Sequence, residues 1–323
     1  MIRCGIIGGA GYTAGELIRL LLCHPEAEIT FVNSQSNAGN RLADVHEGLE
    51  GDTELRFTSE LPFDAVDCLF FCTGHGDTQK FLARHELPKD LRVIDLSQDY
   101  RLEAEGNDFV YGLPELNRER IRAAKHIANP GCFATCIQLG LLPLAARKLL
   151  REGEVQVTAL TGSTGAGVKP GPTSHFSWRM GNISVYKPFA HQHLHEIRQS
   201  LAQLQGSQPV PINFIPMRGD FARGIFASIY LDCPLEEEEA CRIYTDFYDG
   251  QPFTHLSAAN IDLKQVVNTN KCLLHVEKHG SKLLILSVID NLLKGASGQA
   301  VHNMNLLFGL DETCGLRLKP SAF

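Results

Sequence analysis

Short apolar segments alternate with helical patterns through the first half of the chain. Ile2–Ile7 is an apolar run that ends in glycines, and Glu16–Leu22 has the spacing of a helix. Because buried strands separated by helices form parallel sheets, this half predicts a Rossmann-type, doubly wound α/β domain. Its further predicted strands lie at 29–32, 67–72, 91–96 and 127–128.

The second half has longer strand patterns, which are typical of a mixed or antiparallel sheet. These patterns lie at 155–160, 212–215, 225–231, 272–276 and 283–289, with helices predicted near 192–204, near 235–248 and after 295. Residues 163–190, rich in Gly, Ser and Pro, predict a long irregular segment, which in proteins is usually functional or mobile. We therefore expect an α/β domain from 1–131 and 297–323, and an α+β domain with a mixed sheet at 132–296.

The composition narrows the class of protein. A chain of 323 residues is long enough for two domains, and 44% apolar and 21% charged residues are ordinary for a soluble globular protein. The net charge of −7 argues against binding to nucleic-acid phosphates, and no apolar run approaches the ~20 residues that cross a bilayer. Ten cysteines without disulfide-scaffold spacing favour a reducing compartment. We expect a cytoplasmic protein without nucleic-acid or membrane partners.

One cysteine lies where a turn is expected to enter a helix. Asn129-Pro130-Gly131 is typical of a turn, and the residues after Cys132 have a helical pattern. At a helix N-terminus, unpaired N–H groups and the helix dipole stabilise a thiolate, which is a nucleophile. Cys132 is therefore the candidate catalytic residue. The alternative is a small buried apolar residue, since free cysteine is commonly buried.

A glycine-rich turn follows the first predicted strand and runs into a helix. This is a variant of the dinucleotide fingerprint, in which glycines allow close approach of a pyrophosphate to the helix N-terminus. The position at the start of a strand–helix–strand unit makes nucleotide binding the favoured interpretation. The candidate cofactor-binding residues here are Gly8, Gly11, Tyr12 and Thr13.

The end of the second predicted strand discriminates between cofactors. An NAD site usually has Asp or Glu there to bind the ribose 2′-hydroxyl. This chain has Ser34 and Ser36, with Arg41 close behind and no acid. Hydroxyls and a cation suit a 2′-phosphate, so NADP(H) is favoured. A polar surface loop would explain these residues but not the missing acid.

Three imidazoles cluster at His191, His193 and His195. A zinc site would need companion ligands, and the surrounding sequence offers no obvious cysteine or carboxylate set, so we expect no metal. A histidine acting as proton donor and acceptor beside a nucleophilic cysteine is the favoured interpretation. The alternative is a set of solvated histidines at a helix start.

Three further polar segments contain residue types that are suited to binding a substrate or cofactor. The segment with Ser163 and Gly165 provides hydroxyls and N–H groups for an anion, or else is a flexible surface loop. Arg218 and Arg223 suit a substrate carboxylate, although ordinary surface arginines are nearly as consistent with the pattern. Asn291 precedes the last helix and could reach a nicotinamide, or could belong to a helix-capping turn.

Taken together, these motifs resemble the N-acetyl-γ-glutamyl-phosphate reductase family of the semialdehyde dehydrogenase superfamily. The resemblance covers nearly the whole chain, and its Pro-Gly-Cys-aromatic-x-Thr element is quite specific. The matching segments are Gly8–Gly15, Ser34–Asn37, Asp95–Arg101, Tyr111–Glu115, Asn129–Thr135, Gly165–Gly167, His191–Ile197, Arg223–Ile225 and Asn291–Gly295.

The resemblance implies roles for individual residues. Cys132 would be the nucleophile, His193 the acid/base and His191 a substrate or orienting contact. Gln192, His195 and Cys136 depart from the family pattern and leave the choice among the imidazoles open. With the segments above, the expected substrate-binding residues are His191, Glu196, Arg101, Ser163 and Arg223, and Gly165 and Asn291 join the expected cofactor-binding set.

The implied reaction is the NADPH-dependent reduction of N-acetyl-L-glutamyl 5-phosphate to the 5-semialdehyde and phosphate, through a Cys132 thioester, in arginine biosynthesis. The resemblance also suggests a homodimer or homotetramer. The residues leave three alternatives open: an N-succinyl or other N-acyl substrate, aspartate-semialdehyde dehydrogenase chemistry, or an NADP(H)-sensing binding protein.

Overall fold

The computed structural model describes residues 1–321. Within this range the chain forms two compact units. The first consists of Met1–Pro130 and Ala296–Arg317, and the second of Gly131–Gly295 with the chain from residue 318. None of the helices over residues 1–321 is long and apolar enough to cross a membrane.

The first unit contains a parallel sheet, which confirms the doubly wound α/β prediction. Over the described residues it has seven strands in the order β3-β2-β1-β4-β5-β7-β6. The two short strands β3 and β6 are missing from the predicted set, because two residues are too few to make a pattern. The strands are β1 (Ile2–Ile7), β2 (Ala27–Asn33), β3 (Phe57–Thr58), β4 (Cys68–Phe71), β5 (Arg92–Asp95), β6 (Val110–Tyr111) and β7 (His126–Ala128).

The helices of the first unit are α1 (Tyr12–Leu22), α2 (Asp77–Leu82), α3 (Pro114–Ala123) and the C-terminal helix α8 (Ser297–Leu307). Helix α1 buries Leu17, Ile18 and Leu21 and ends with Cys23 as its C-cap. Helix α8 packs against α1 and α3 and is buried on all sides although it carries many polar residues. Two of them, Gln299 and Asn303, donate to the main-chain carbonyl of Gly112, and hydrogen bonds of this kind make the burial of polar groups tolerable.

The second unit contains the predicted mixed sheet. In the described part of the chain its order is β12-β13-β14-β11-β8-β10-β9. Pairs β8–β10 and β12–β13 are parallel, and the other neighbours are antiparallel. The strands are β8 (Val155–Thr161), β9 (Ser184–Val185), β10 (Ile212–Arg218), β11 (Ile225–Asp232), β12 (Thr254–Leu256), β13 (Cys272–His279) and β14 (Lys282–Ile289).

The helices of the second unit are α4 (Cys132–Ala146), α5 (Phe176–Arg179), α6 (His193–Gln205) and α7 (Glu237–Phe247). Helix α4 is apolar on every side and lies between α6 and strands β11 and β14. The segment predicted as irregular, 163–190, holds α5, β9 and two single 3₁₀ turns. Its elements are too short to give a periodic pattern in the sequence.

Candidate functional site

The glycine turn of the first unit has the geometry of a dinucleotide cradle. Gly8 has φ +81°, and a Cβ there would lie 2.9 Å from the carbonyl oxygen of Cys72. A Cβ at Gly9 would overlap Val32 Cγ1, whereas a Cβ at Gly11 would meet nothing within 4 Å. The turn is therefore packed against the sheet on one side and open at Gly11, the N-cap residue of α1.

The start of α1 is suited to an anion. It has no side-chain cap and no acidic residue in its first turn. Tyr12 is 42% exposed, and the carbonyl of Thr13 accepts a hydrogen bond from Ser297 Oγ at 2.7 Å. Because uncapped N–H groups at a helix start attract phosphate, the residues present fit a pyrophosphate.

His46 supports this turn and was missed by the sequence reasoning. Its Nε2 lies 2.7 Å from the carbonyl oxygen of Gly9, and a Cβ at Gly15 would lie 2.7 Å from its Nδ1. The ring therefore fills the space that the glycine leaves. No local pattern could have indicated a histidine 37 residues away from its partner.

The loop after β2 holds the predicted 2′-phosphate residues. Asn37 Nδ2 donates to Ser34 Oγ at 3.1 Å and to Ser36 Oγ at 3.2 Å, so the two hydroxyls face one amide. Arg41 forms ion pairs with Asp44 at 3.1 Å and Glu50 at 3.0 Å. A bound phosphate would compete with these two carboxylates for the guanidinium.

Asn129 is held at the end of the first unit by every polar group it has. Its N–H donates to Asp95 O (2.8 Å), and its Nδ2 donates to Ala296 O (3.0 Å). Its Oδ1 accepts from Asn303 Nδ2 (3.1 Å), and its carbonyl accepts from Arg101 Nε (2.8 Å). Arg101, predicted to bind substrate, is 6% exposed, and its Nη2 donates to a second main-chain carbonyl, that of residue 96.

In the second unit, Cys132 is the first residue of α4 and is partly exposed. The N–H of Gly131, the N-cap residue, donates to the buried carboxylate of Glu196 at 2.9 Å. On the other side, a Cβ at Gly295 would lie 2.8 Å from Cys132 Cβ. Cys132 therefore lies between the turn that Glu196 anchors and Gly295, a position where there is no room for a side chain.

Cys136, one helical turn later, has a different environment. Its Sγ lies 3.3 Å from Ser287 O and 3.4 Å from Ser287 Oγ, and burial raises the pKa of its thiol well above the usual range. Cys136, which departs from the family pattern, is therefore a packing residue of the core. Its thiol is neutral and unreactive.

The structure separates the three histidines. His191 and His193 are buried with ring centroids 4.6 Å apart, whereas His195 points outward from α6. His193 Nε2 lies 3.9 Å from Glu196, one turn along the same face of the helix. Glu196 thus connects the imidazole of His193 with Gly131, next to Cys132. In residues 1–321, no three ligating side chains converge as a metal site requires.

His191 is held neutral. Burial, together with the charge of Lys187, lowers its pKa to about 4. Its Nδ1 accepts a hydrogen bond from the N–H of His193 at 3.2 Å, so the ring proton lies on Nε2. At neutral pH His191 can therefore donate a hydrogen bond but does not carry a charge.

An aromatic cluster surrounds His191, and its members lie too far apart in the chain to form a sequence pattern. The rings of Phe133, Tyr186 and Phe214 lie 5.5, 5.8 and 5.5 Å from the imidazole. The guanidinium of Arg218 lies 4.7 Å from the centre of the Tyr186 ring. Burial raises the pKa of Tyr186, so its hydroxyl stays protonated.

The other predicted residues of this unit form a second cluster. Arg223 makes a two-pronged contact with the buried Asp290, at 3.1 and 3.3 Å. Asn291 accepts from the N–H of Gly224 at 2.7 Å and donates to Thr164 Oγ1 at 3.0 Å. Ser163 N–H donates to Phe221 O, and Gly165 is exposed next to it. These bonds tie the predicted anion loop to the strand ends.

Comparison with known families agrees with the division of the chain into two units. Residues 3–124 match the family model described as semialdehyde dehydrogenase, NAD binding domain. Residues 132–291 match the one described as semialdehyde dehydrogenase, dimerisation domain. The chain therefore carries both parts of that architecture.

Curated relatives match over the full length. A protein of Parabacteroides distasonis named N-acetyl-gamma-glutamyl-phosphate reductase is 68% identical over 323 residues, covering 100% of both chains. One of the same name from Bacteroides thetaiotaomicron is also 68% identical with the same coverage. A third, from Flavobacterium johnsoniae, is 54% identical over the whole of both chains.

Solved structures share the fold at low identity. Aspartate semialdehyde dehydrogenase II from Vibrio cholerae has a TM-score of 0.71 at 17% identity, covering 96% of this chain and 99% of its own. Aspartate semialdehyde dehydrogenase with NADP from Candida albicans has a TM-score of 0.71 at 15% identity, covering 95% and 99%. At this identity the likeness concerns the fold alone.

Proposed function

Since the chain belongs to the N-acetyl-γ-glutamyl-phosphate reductase family of semialdehyde dehydrogenases, we propose that it reduces N-acetyl-L-glutamyl 5-phosphate to the 5-semialdehyde with NADPH. Phosphate is released, and the reaction is a step of arginine biosynthesis in the cytoplasm. The observation that best supports this proposal is the position of the buried Glu196 carboxylate. It accepts a hydrogen bond from the turn before Cys132 and lies 3.9 Å from His193 Nε2.

Cys132 is the nucleophile of this proposal. Its sulfur forms a bond to the acyl carbon of the substrate as the carbon–oxygen bond to phosphate breaks, which leaves a thioester. The start of α4 stabilises the thiolate before the attack and the oxyanion during it, because its N–H groups point toward developing negative charge. The thioester is then reduced by hydride to a thiohemiacetal. Its carbon–sulfur bond breaks as His193 takes the hydroxyl proton, which gives the aldehyde and returns the thiolate.

His193 is the acid/base residue, and its neighbours explain why. The Glu196 carboxylate lies 3.9 Å from Nε2 of this imidazole and can orient the ring for proton transfer. His191, held neutral by burial, instead donates a hydrogen bond to the substrate from Nε2. His195 is exposed on the other side of the helix and has no part in the reaction.

Polar and cationic side chains recognise the substrate. Arg218, held over Tyr186, lies at the aromatic cluster next to His191 and is placed for a carboxylate. Ser163 and Arg223 line the loop cluster that would receive the phosphate. Arg101 acts on the substrate indirectly, since its guanidinium holds the main chain at Asn129.

The α/β domain, 1–131 with 297–323, binds the cofactor, and 132–296 is the catalytic domain. NADPH supplies the hydride when bound. The turn at Gly8 and Gly11, with the start of α1 at Tyr12 and Thr13, holds the pyrophosphate. Asn291 and Gly165, in the catalytic domain, are the remaining proposed cofactor-binding residues. Ser34, Ser36 and Arg41 select the 2′-phosphate, and the protein works as a homodimer or homotetramer.

Replacing the nucleophile tests the mechanism. Cys132→Ser should lower kcat by at least about a thousandfold while leaving NADPH binding, measured by nucleotide fluorescence, unchanged. Cys136→Ala is the matched control, since it removes a buried thiol one turn away and should keep activity. Wild-type turnover in Cys132→Ser would refute the thioester.

The same assay tests substrate and cofactor. We expect a higher kcat/KM for the N-acetyl than for the N-succinyl glutamyl phosphate, and for NADPH than for NADH. If NADH served equally well, the assignment of Ser34, Ser36 and Arg41 to a 2′-phosphate would be wrong.

A further inference from the structure

Asp290 is a buried carboxylate that cannot itself reach a substrate. It is 0% exposed and directly follows strand β14, which ends at Ile289. Its oxygens accept hydrogen bonds from the Arg223 guanidinium, at 3.1 and 3.3 Å, and from three main-chain N–H groups. A buried charge is tolerated when it is paired and hydrogen-bonded, and Asp290 meets both conditions.

The contact between Asp290 and Arg223 is side-on. Nε and Nη2 lie on one edge of the planar guanidinium, so their bonds to the two carboxylate oxygens fix the plane of the group as well as its position. The side chain of Arg223 is 22% exposed, whereas that of Asp290 is 0% exposed. Arg223 can therefore contact a ligand, and Asp290 can act on that ligand only through Arg223.

Asp290 also begins the turn that reaches Cys132. Its Oδ1 accepts from the N–H groups of Leu292 at 2.8 Å and Leu293 at 3.2 Å. Its main-chain carbonyl accepts from the N–H of Gly295 at 2.9 Å. Gly295 is the residue whose Cβ would lie 2.8 Å from Cys132 Cβ. The anchor of Arg223 and the contact with the nucleophile therefore belong to one hydrogen-bonded turn.

A third segment donates to the same carboxylate. The N–H of Asn268 lies 2.7 Å from Asp290 Oδ2, and Asn268 has φ +68°. This left-handed backbone region is routine for Gly and is visited by Asn and Asp. Asp290 thus joins the loop that carries Arg223, the turn after β14 and the loop before β13.

The main chain on both sides of Arg223 is fixed by other bonds. The N–H of Gly224 donates to Asn291 Oδ1 at 2.7 Å, and the carbonyl of Ala222 accepts from Thr164 Oγ1 at 2.6 Å. The position of the Arg223 main chain is therefore set without Asp290. What the carboxylate decides is the direction of the guanidinium.

We propose that Asp290 is a positioning residue that orients the Arg223 guanidinium toward the phosphate of the substrate. Both carboxylate oxygens bond Arg223, so an amide in the place of Asp290 would lose one of these bonds whichever oxygen its NH₂ group replaced. This inference rests on the proposed function, which assigns Arg223 to the phosphate, and adds the residue that directs it.

The reverse reaction, phosphate-dependent oxidation of N-acetyl-L-glutamate 5-semialdehyde, tests the inference because its KM for inorganic phosphate reports on Arg223. In Asp290→Asn we expect this KM to rise at least about tenfold, since a charge-assisted bond to phosphate is no longer aligned. The alkylation rate of Cys132 should stay within about threefold of wild type, because the main-chain bond to Gly295 is kept.

A double-mutant cycle tests whether Asp290 acts through Arg223. Arg223→Lys keeps a cation but has no planar edge for the carboxylate, so it should also raise the KM for phosphate. The double variant should have a KM within about twofold of the larger single effect. Arg223→Lys is also the second variant should Asp290→Asn fold poorly, since the Arg223 side chain is partly exposed.

Gln205→Ala is the control for the loss of a buried polar group alone. Gln205 is 1% exposed in the same unit, and its amide bonds the N–H and the carbonyl of Leu150, each at 3.1 Å. This variant should lower the unfolding temperature and keep the wild-type KM for phosphate.

Three results would overturn the inference: a wild-type KM for phosphate in folded Asp290→Asn, a wild-type KM in Arg223→Lys, or independent effects that multiply in the double variant. Each of them leaves the proposed function intact, because the wild-type protein still oxidises the semialdehyde. If the wild-type protein does not catalyse that oxidation, the proposed function is rejected, and the inference with it.

Discussion

The close contact between Gly295 and Cys132 makes a sharp test of the candidate site. A Cβ at Gly295 would lie 2.8 Å from Cys132 Cβ, 2.7 Å from Asn291 O and 2.9 Å from Asn291 Cα. All three are backbone or first side-chain atoms, so no flexible group can move aside. In Gly295→Ala, the new methyl and Cys132 must separate by about 0.7 Å to reach ordinary carbon–carbon contact at about 3.5 Å.

The magnitude follows from that displacement. Overpacking at a buried site costs about 1–3 kcal/mol of stability, which a chain of this size is expected to survive as a folded protein. A shift near 1 Å at the reacting group costs about a hundredfold in rate. We therefore expect kcat/KM to fall about ten- to a hundredfold in Gly295→Ala, with the loss mainly in kcat.

Two measurements distinguish an effect on the candidate site from an effect on folding. Steady-state kinetics is combined with the alkylation rate of Cys132, read by mass spectrometry of its peptide, because other thiols are also present. Gly48→Ala is the control, since a Cβ there would meet nothing within 4 Å. Wild-type kcat/KM and an unchanged alkylation rate in folded Gly295→Ala would refute the packing argument.

Two further predictions concern buried polar groups. Asn129→Ala should destabilise the protein by about 1–3 kcal/mol in urea unfolding, because Ala296 O loses a donor and Asn303 an acceptor; unchanged stability would contradict this. His191 has a pKa lowered to about 4 in the fold, so below about pH 6.5 the unfolded chain binds a proton that the folded chain does not. Stability should fall as the pH drops from about 6.5 toward 4, and His191→Asn should reduce that dependence by up to roughly 3 kcal/mol, measured at pH values near 7.5 and 4.5. Equal pH dependence in the two proteins would show that His191 is not the group responsible.

The sequence predicted well what local pattern encodes. The parallel sheet, the mixed sheet and the helix that starts at Cys132 all follow from runs of apolar residues and from turn residues next to them. Short edge strands such as β9 were missed because their pairing, and not their own residues, makes them strands.

The partners that side chains meet through folded loops and tertiary contacts were not predictable. Arg101 is one example: its guanidinium bonds the main-chain carbonyls of residues 96 and 129, and no local pattern indicates the second of these. Arg41 is another, since Asp44 and Glu50 reach it only through the turn of the loop. An arginine in the sequence indicates a positive charge, whereas the fold decides which carbonyl or carboxylate groups its guanidinium contacts.

The sequence by itself determined the chemistry available: a cysteine at a helix start, a glycine turn after the first strand and histidines at the start of α6. These depend on neighbouring residues, so local pattern suffices. Only the tertiary structure decided that His191 is neutral and that His193 is buried whereas His195 is exposed. The physical reason is that proton affinity depends on burial and nearby charge, and the groups that bury His191 come from three separate segments, at Phe133, Tyr186 and Phe214.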